Sequence, residues 1–75
     1  MRPSHRINPF ILEREINREL RIAVLRRVRA EVGEDLSVTL KGAVRNAFDK
    51  DRAFKIAKSF QNRGVRRIRD MIFYS

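Results

Sequence analysis

The segment Gln61-Asn62-Arg63-Gly64-Val65-Arg66-Arg67-Ile68-Arg69 holds the densest set of side chains suited to recognising another molecule. A guanidinium presents N–H donors in a planar fork that fits phosphate oxygens or the edge of guanine, and Gln or Asn can bond a base edge. Arg63, Arg66, Arg67 and Arg69 can neutralise phosphates, with Lys55 and Lys58 just upstream. Gln61, Asn62 or Arg66 can supply base contacts. These eight residues form the candidate nucleic-acid-binding set. A second basic stripe, Arg14, Arg18 and Arg21, repeats at four and three residues, but Glu15 and Glu19 flank it. Local ion pairs on a solvated helix face account for that stripe.

Catalytic chemistry finds little to work with, and the chain is not expected to be an enzyme. His5 is the single histidine and lies before the first helix start, and there are no cysteines. Thiolate metal sites and disulfides are therefore excluded. Ser4 adjoins His5 only within the basic arm, Ser37, Ser59 and Ser75 have no histidine neighbour, and none of the four sits in a nucleophile elbow. Glu34, Asp35, Asp49 and Asp51 read as helix-start residues rather than an acid–base pair. Gly33, Gly42 and Gly64 are isolated, so no phosphate-cradling loop is present. No cofactor or metal is expected.

Charge supports the binding reading. Eighteen Lys and Arg stand against nine Asp and Glu, a formal net charge of +9, and fourteen of the eighteen are Arg. Such a surface attracts polyanions: nucleic acid, acidic membrane or an acidic protein. The excess rises along the chain, from +2 over residues 1–35 to +4 over 36–62 and +3 over the thirteen residues 63–75. With 43% hydrophobic residues the composition is globular rather than that of a disordered tail. No apolar run approaches the roughly 20 residues of a membrane span. A soluble, cytoplasmic or nucleoid-associated protein is the expectation.

Seventy-five residues allow one domain, of marginal stability as a monomer. Residues 1–8 read as a flexible basic arm and 9–75 as a single helical domain. Asn8-Pro9 is a helix start, and one long helix is expected from Pro9 to about Val32, stopped by Gly33. Its apolar residues fall on two stripes. Leu12, Ile16, Leu20 and Ala23 make the first; Val24, Leu25, Val28 and Val32 make the second, rotated by about a third of a turn. A kink near Ile22 or a second subunit is needed to cover both, which points to a homodimer joined through Leu12, Ile16, Leu20, Val24 and Val28.

Leu36, Leu40, Ala43, Val44, Ala47 and Phe48 suit a second helix over 37–48. A strand competes there, because Leu36, Val38 and Leu40 alternate with Ser37, Thr39 and Lys41. A ribbon-helix-helix dimer would present those three polar residues to DNA. A third helix is expected from Asp49 or Asp51 to about Asn62, and a last one near 65–74 from Val65, Ile68, Met71 and Ile72. Residues 56–74 then resemble a helix-turn-helix, although Arg67 falls where that motif needs an apolar residue. Phe10, Phe48, Phe54 and Phe60 are expected in the core, leaving Phe73 and Tyr74 as the aromatics free to stack on bases.

The combined expectation is an all-α domain of three or four helices. It would bind DNA in preference to RNA as a dimeric transcriptional regulator or accessory factor. An RNA or ribosome binder, an adaptor or inhibitor of an acidic protein, and a membrane-surface binder through Phe10-Ile11-Leu12 and the arm are the rivals.

Overall fold

The computed structural model describes residues 7–75. It corrects the all-α expectation: the chain forms two α-helices and a three-stranded mixed sheet. Helix α1 spans Pro9–Ile22, β1 Val28–Val32, β2 Ser37–Val44, α2 Ala47–Ser59 and β3 Arg67–Tyr74, with a 3-10 turn at Phe60–Arg63. The sheet order is β1-β2-β3; β1 and β2 pair antiparallel, while β2 and β3 pair parallel through the α2 crossover. The expected arm lies mostly outside the described residues.

Helix α1 begins as its sequence dictates, with the Asn8 side chain accepting from Phe10 N–H at 2.9 Å and Pro9 in the first turn. It ends ten residues short of Val32. Val24 N–H donates to Arg21 O and Leu25 N–H to Leu20 O, each at 2.9 Å, which is the Schellman pattern of a helix C-terminus. The position that closes this motif is usually glycine. Here it is Val24, at φ +62°. Leu25 and Leu20 make the accompanying apolar contact inside the core. The second apolar stripe is thus not helical at all: Val28, Ala30 and Val32 alternate with Arg29 and Glu31 along a strand.

In β2 the competing strand pattern is the one adopted, so the expected helix over 37–48 is absent. Gly42, at φ +122°, lets β1 approach so closely that a Cβ there would sit 1.9 Å from Arg27 O. Asn46 caps α2 by accepting from Asp49 N–H at 2.8 Å, one turn ahead of the expected caps. The expected C-terminal helix is strand β3, and with it the helix-turn-helix is removed.

Both helices pack on one face of the sheet. Leu12, Ile16 and Leu20 of α1 and Ala53 and Ala57 of α2 form a single core with Val28, Ala30, Val38, Leu40 and Ile72. At about 25 cal/mol per Å² of apolar surface removed from water, this core is the main stabilising term. Helix α1 also closes one edge of the sheet. Asn17 donates to Ala30 O at 3.0 Å and accepts from Ala30 N–H at 2.8 Å, and Glu13 accepts from Val32 N–H at 2.8 Å. An open strand edge invites pairing with another chain, and these side chains occupy it.

Candidate nucleic-acid interface

The register of the strands sorts their side chains into two faces. Paired residues project to the same side, so Val28, Ala30, Val38, Leu40, Ile68 and Ile72 face the helices. The other face has no helix against it among the described residues. It carries the rows Glu31–Thr39–Arg69 and Arg29–Lys41–Met71, followed by Ser37 beside Arg67 and Ala43 beside Phe73. Adjacent strands lie roughly 4.8 Å apart and alternate residues on one strand about 6.7 Å apart. Arg29, Lys41, Arg67 and Arg69 are all exposed.

Two apolar side chains stand among these bases, Met71 at 58% and Phe73 at 61% exposure. Neither side chain contributes to the core from this position. Lys41 forms an ion pair with Glu31 at 3.1 Å, but both side chains are about half exposed. A pair so open to water contributes little to stability. Arg29, Arg67 and Arg69 have no carboxylate partner within ion-pair distance among the described residues.

The residues singled out from sequence are divided by the fold. Arg67 and Arg69 project from β3 onto the open face. Lys55 and Lys58 lie on the exposed side of α2, across the protein from that face, and Lys55 is paired with Asp51 at 3.1 Å. Gln61, Asn62 and Arg63 form the 3-10 turn, where Arg63 binds Glu15 and lies over the Phe60 ring at 5.4 Å. Arg66 precedes β3, and its N–H donates to Leu36 O at 2.9 Å. The eight residues therefore do not form one surface.

Of the residues expected at a dimer interface, Leu12, Ile16, Leu20 and Val28 are buried in the protein's own core, and only Val24 is exposed. Phe60 is buried as expected, but Phe10 and Phe48 are exposed at 78% and 70%. Arg29 was missed because it read as helical. Lys41, Thr39 and Ser37 share a face only in the strand reading. The alternation of Arg67, Arg69, Met71 and Phe73 was the signal in β3.

A broad depression beside the basic rows is lined by Glu13, Glu31, Asp35, Ser37, Thr39 and Arg69. Its carboxylates are engaged. Glu13 holds the β1 edge, Glu31 meets Lys41, and Asp35 accepts from the Ser37 hydroxyl at 2.9 Å and the Ser37 N–H at 3.1 Å. Those bonds hold the Asp35 carboxyl below its ordinary range, the hydroxyl contributing most. No group of three or more His, Cys, Asp or Glu able to hold a metal occurs among the described residues. His5 lies outside them. No described helix is long and apolar enough to cross a membrane. No protein-family model matches the chain, and no curated protein is significantly similar to it.

Proposed function

We propose that the protein binds single-stranded nucleic acid on the uncovered face of its sheet. The observation that carries the proposal is the grouping of Arg29, Lys41, Arg67 and Arg69 around exposed Phe73 and Met71 on a face that no described element covers. The cations neutralise phosphates, Phe73 offers a ring for a base, and Thr39 and Ser37 offer hydroxyls to base or sugar edges. Binding to single strands combines these features: a positive track for the backbone and aromatic platforms for bases. A broad three-stranded face suits an extended strand better than the major groove of duplex DNA, which admits a helix or a two-stranded ribbon. The DNA-regulator expectation relied on a recognition helix over 64–74, and residues 67–74 of that segment are strand β3.

The test is a titration of labelled single-stranded RNA, single-stranded DNA and duplex DNA, using wild type, Phe73→Ala and Arg67→Ala/Arg69→Ala. Stacking on one aromatic contributes about 1–3 kcal/mol, so Phe73→Ala should weaken single-strand binding about 5- to 150-fold. Engagement of all four cations gives a slope of log K against log salt near −3 at about −0.7 per phosphate. Unchanged affinity in both folded variants would remove the sheet face as the site. Tighter binding to duplex would restore the double-stranded reading.

A further inference from the structure

The open face of the sheet is not uniform along its strands. At the end where β2 and β3 begin, Arg67 and Arg69 share the surface with Glu31 and Asp35, so positive and negative charges are balanced there. At the end where β2 and β3 finish, Arg29 and Lys41 are followed by Arg27 and Arg45, and no acid stands in the rows beyond them among the described residues. Phe73, the one aromatic ring on the face, stands at this second end.

Strand pairing continues past the ends of the strands and fixes where Arg27 and Arg45 stand. Ala43 N–H donates to Arg27 O at 3.1 Å, so Arg27 lies opposite Ala43. Ser75 N–H donates to Val44 O at 3.0 Å, so Arg45 follows in line with β2. Leu40 and Val44 both belong to the core, so the alternation of sides survives the positive φ of Gly42. Ala43 and Arg45 therefore fall on the open side, as does Arg27 next to core residue Val28.

Ala43 gives an independent check on this placement. It is only 7% exposed, yet it is not a member of the core beneath the helices. On a face that no described element covers, the side chains around it provide that cover. These are Arg27 and Phe73 on the neighbouring strands, with Lys41 and Arg45 along its own. A single methyl group thus forms a shallow floor walled by one ring and three cations.

We propose that Phe73, Arg27 and Arg45 form a subsite for one nucleotide, the base lying against the Phe73 ring above Ala43 and the phosphate held between the two guanidiniums. The inference rests on the single-strand reading of the open face and makes this end the anchor of the bound strand. Arg27 and Arg45 stand on a diagonal between neighbouring strands, a spacing of about 7–8 Å. From there two long side chains can converge on one phosphate, each offering its planar fork of donors. Neither has a carboxylate within ion-pair distance among the described residues, so phosphate displaces no existing pair. Arg67 and Arg69 would hold phosphate beside Glu31 and Asp35, which repel it. Every base has a face that can stack on the ring, so the subsite selects a nucleotide rather than a sequence.

The test titrates the full chain with a mononucleotide and with an oligonucleotide. In backbone-amide NMR at fixed ionic strength, adenosine monophosphate should shift Arg27, Ala43, Arg45 and Phe73 and leave Arg67 and Arg69 in place. Adenosine and inorganic phosphate each fill half of the subsite and should bind at least about tenfold more weakly. For a labelled single-stranded octamer, Arg27→Ala/Arg45→Ala should weaken binding at least about tenfold, and by more than Arg67→Ala/Arg69→Ala does. The substituted side chains are all exposed, and thermal unfolding checks that the variants fold; Arg45→Ala alone, outside any strand, replaces a double variant that does not. Octamer binding that depends on Phe73, Arg67 and Arg69 but not on Arg27 and Arg45 would overturn the subsite and leave the single-strand reading standing. Mononucleotide shifts at the Phe73 end with no octamer binding would do the reverse. Mononucleotide shifts centred on Arg67 and Arg69, or none at all, would overturn the subsite.

Discussion

Replacing Val24 with glycine should make the protein more stable. Val24 closes the Schellman motif at the end of α1, at φ +62°, and its side chain is 70% exposed. The left-handed conformation costs an L-residue about 1–2 kcal/mol, and glycine removes that cost. Two effects subtract from the gain. Glycine is more flexible in the unfolded chain, by about 0.5–1 kcal/mol relative to alanine. The third of the valine surface that is covered also loses contacts worth a few tenths of a kcal/mol, at about 25 cal/mol per Å². The net gain is about 0.5 kcal/mol. For a domain of this size that raises Tm by about 2–4 °C. The assay is thermal unfolding followed by circular dichroism, with Val24→Ala as control. Alanine keeps a Cβ in the left-handed region and so should give no gain. A Val24→Gly protein no more stable than Val24→Ala would refute the strain at this position.

Three further outcomes follow from the fold. Gly42→Ala places a Cβ against Arg27 O and must separate β1 from β2; chemical denaturation should show a loss of at least about 3 kcal/mol, or no folded protein. Asn17→Leu leaves Ala30 N–H and C=O without partners, so unfolding in urea should show a loss of about 1–3 kcal/mol, and light scattering should detect aggregation through the uncovered β1 edge. Asp35 has its carboxyl pKa lowered by Ser37, so the folded state favours the ionised form. Its contribution should be complete above the usual carboxylate pKa, near about pH 4, and lost as pH falls through the lower folded value; Tm of wild type against Asp35→Asn across that range checks it, the difference shrinking in acid.

The start of α1 was legible because Asn8 and Pro9 are specific local signals. Its end was not, because the stop is made by Val24 and no glycine or proline marks it. With the helix carried on to Val32, the strand alternation of Val28, Ala30 and Val32 was hidden under helical spacing that the same residues also satisfy. Strand β3 was obscured differently. Asp70 falls on the helix side of the sheet, where Lys50 approaches it at 3.9 Å, and Met71 and Phe73 fall on the open side. This reverses the usual apolar-in, polar-out code over that stretch. The body of α2 was readable from Ala53, Ile56 and Ala57, with Phe60 following in the 3-10 turn. As for the site, Arg67, Arg69 and Phe73 were identifiable by residue type. Their grouping with Arg29 and Lys41 is created by strand pairing over long sequence distances, and no local pattern encodes it.

The most direct test of the sheet face as a nucleic-acid site is a backbone-amide NMR titration with a short single-stranded oligonucleotide. The strand residues that carry the open face, Arg29, Thr39, Lys41, Arg69, Met71 and Phe73, should shift together and saturate at one concentration of oligonucleotide. Lys55 and Lys58, across the protein on α2, should remain in place. Shifts centred on α2 and the 3-10 turn, or none at all, would contradict binding on the open sheet.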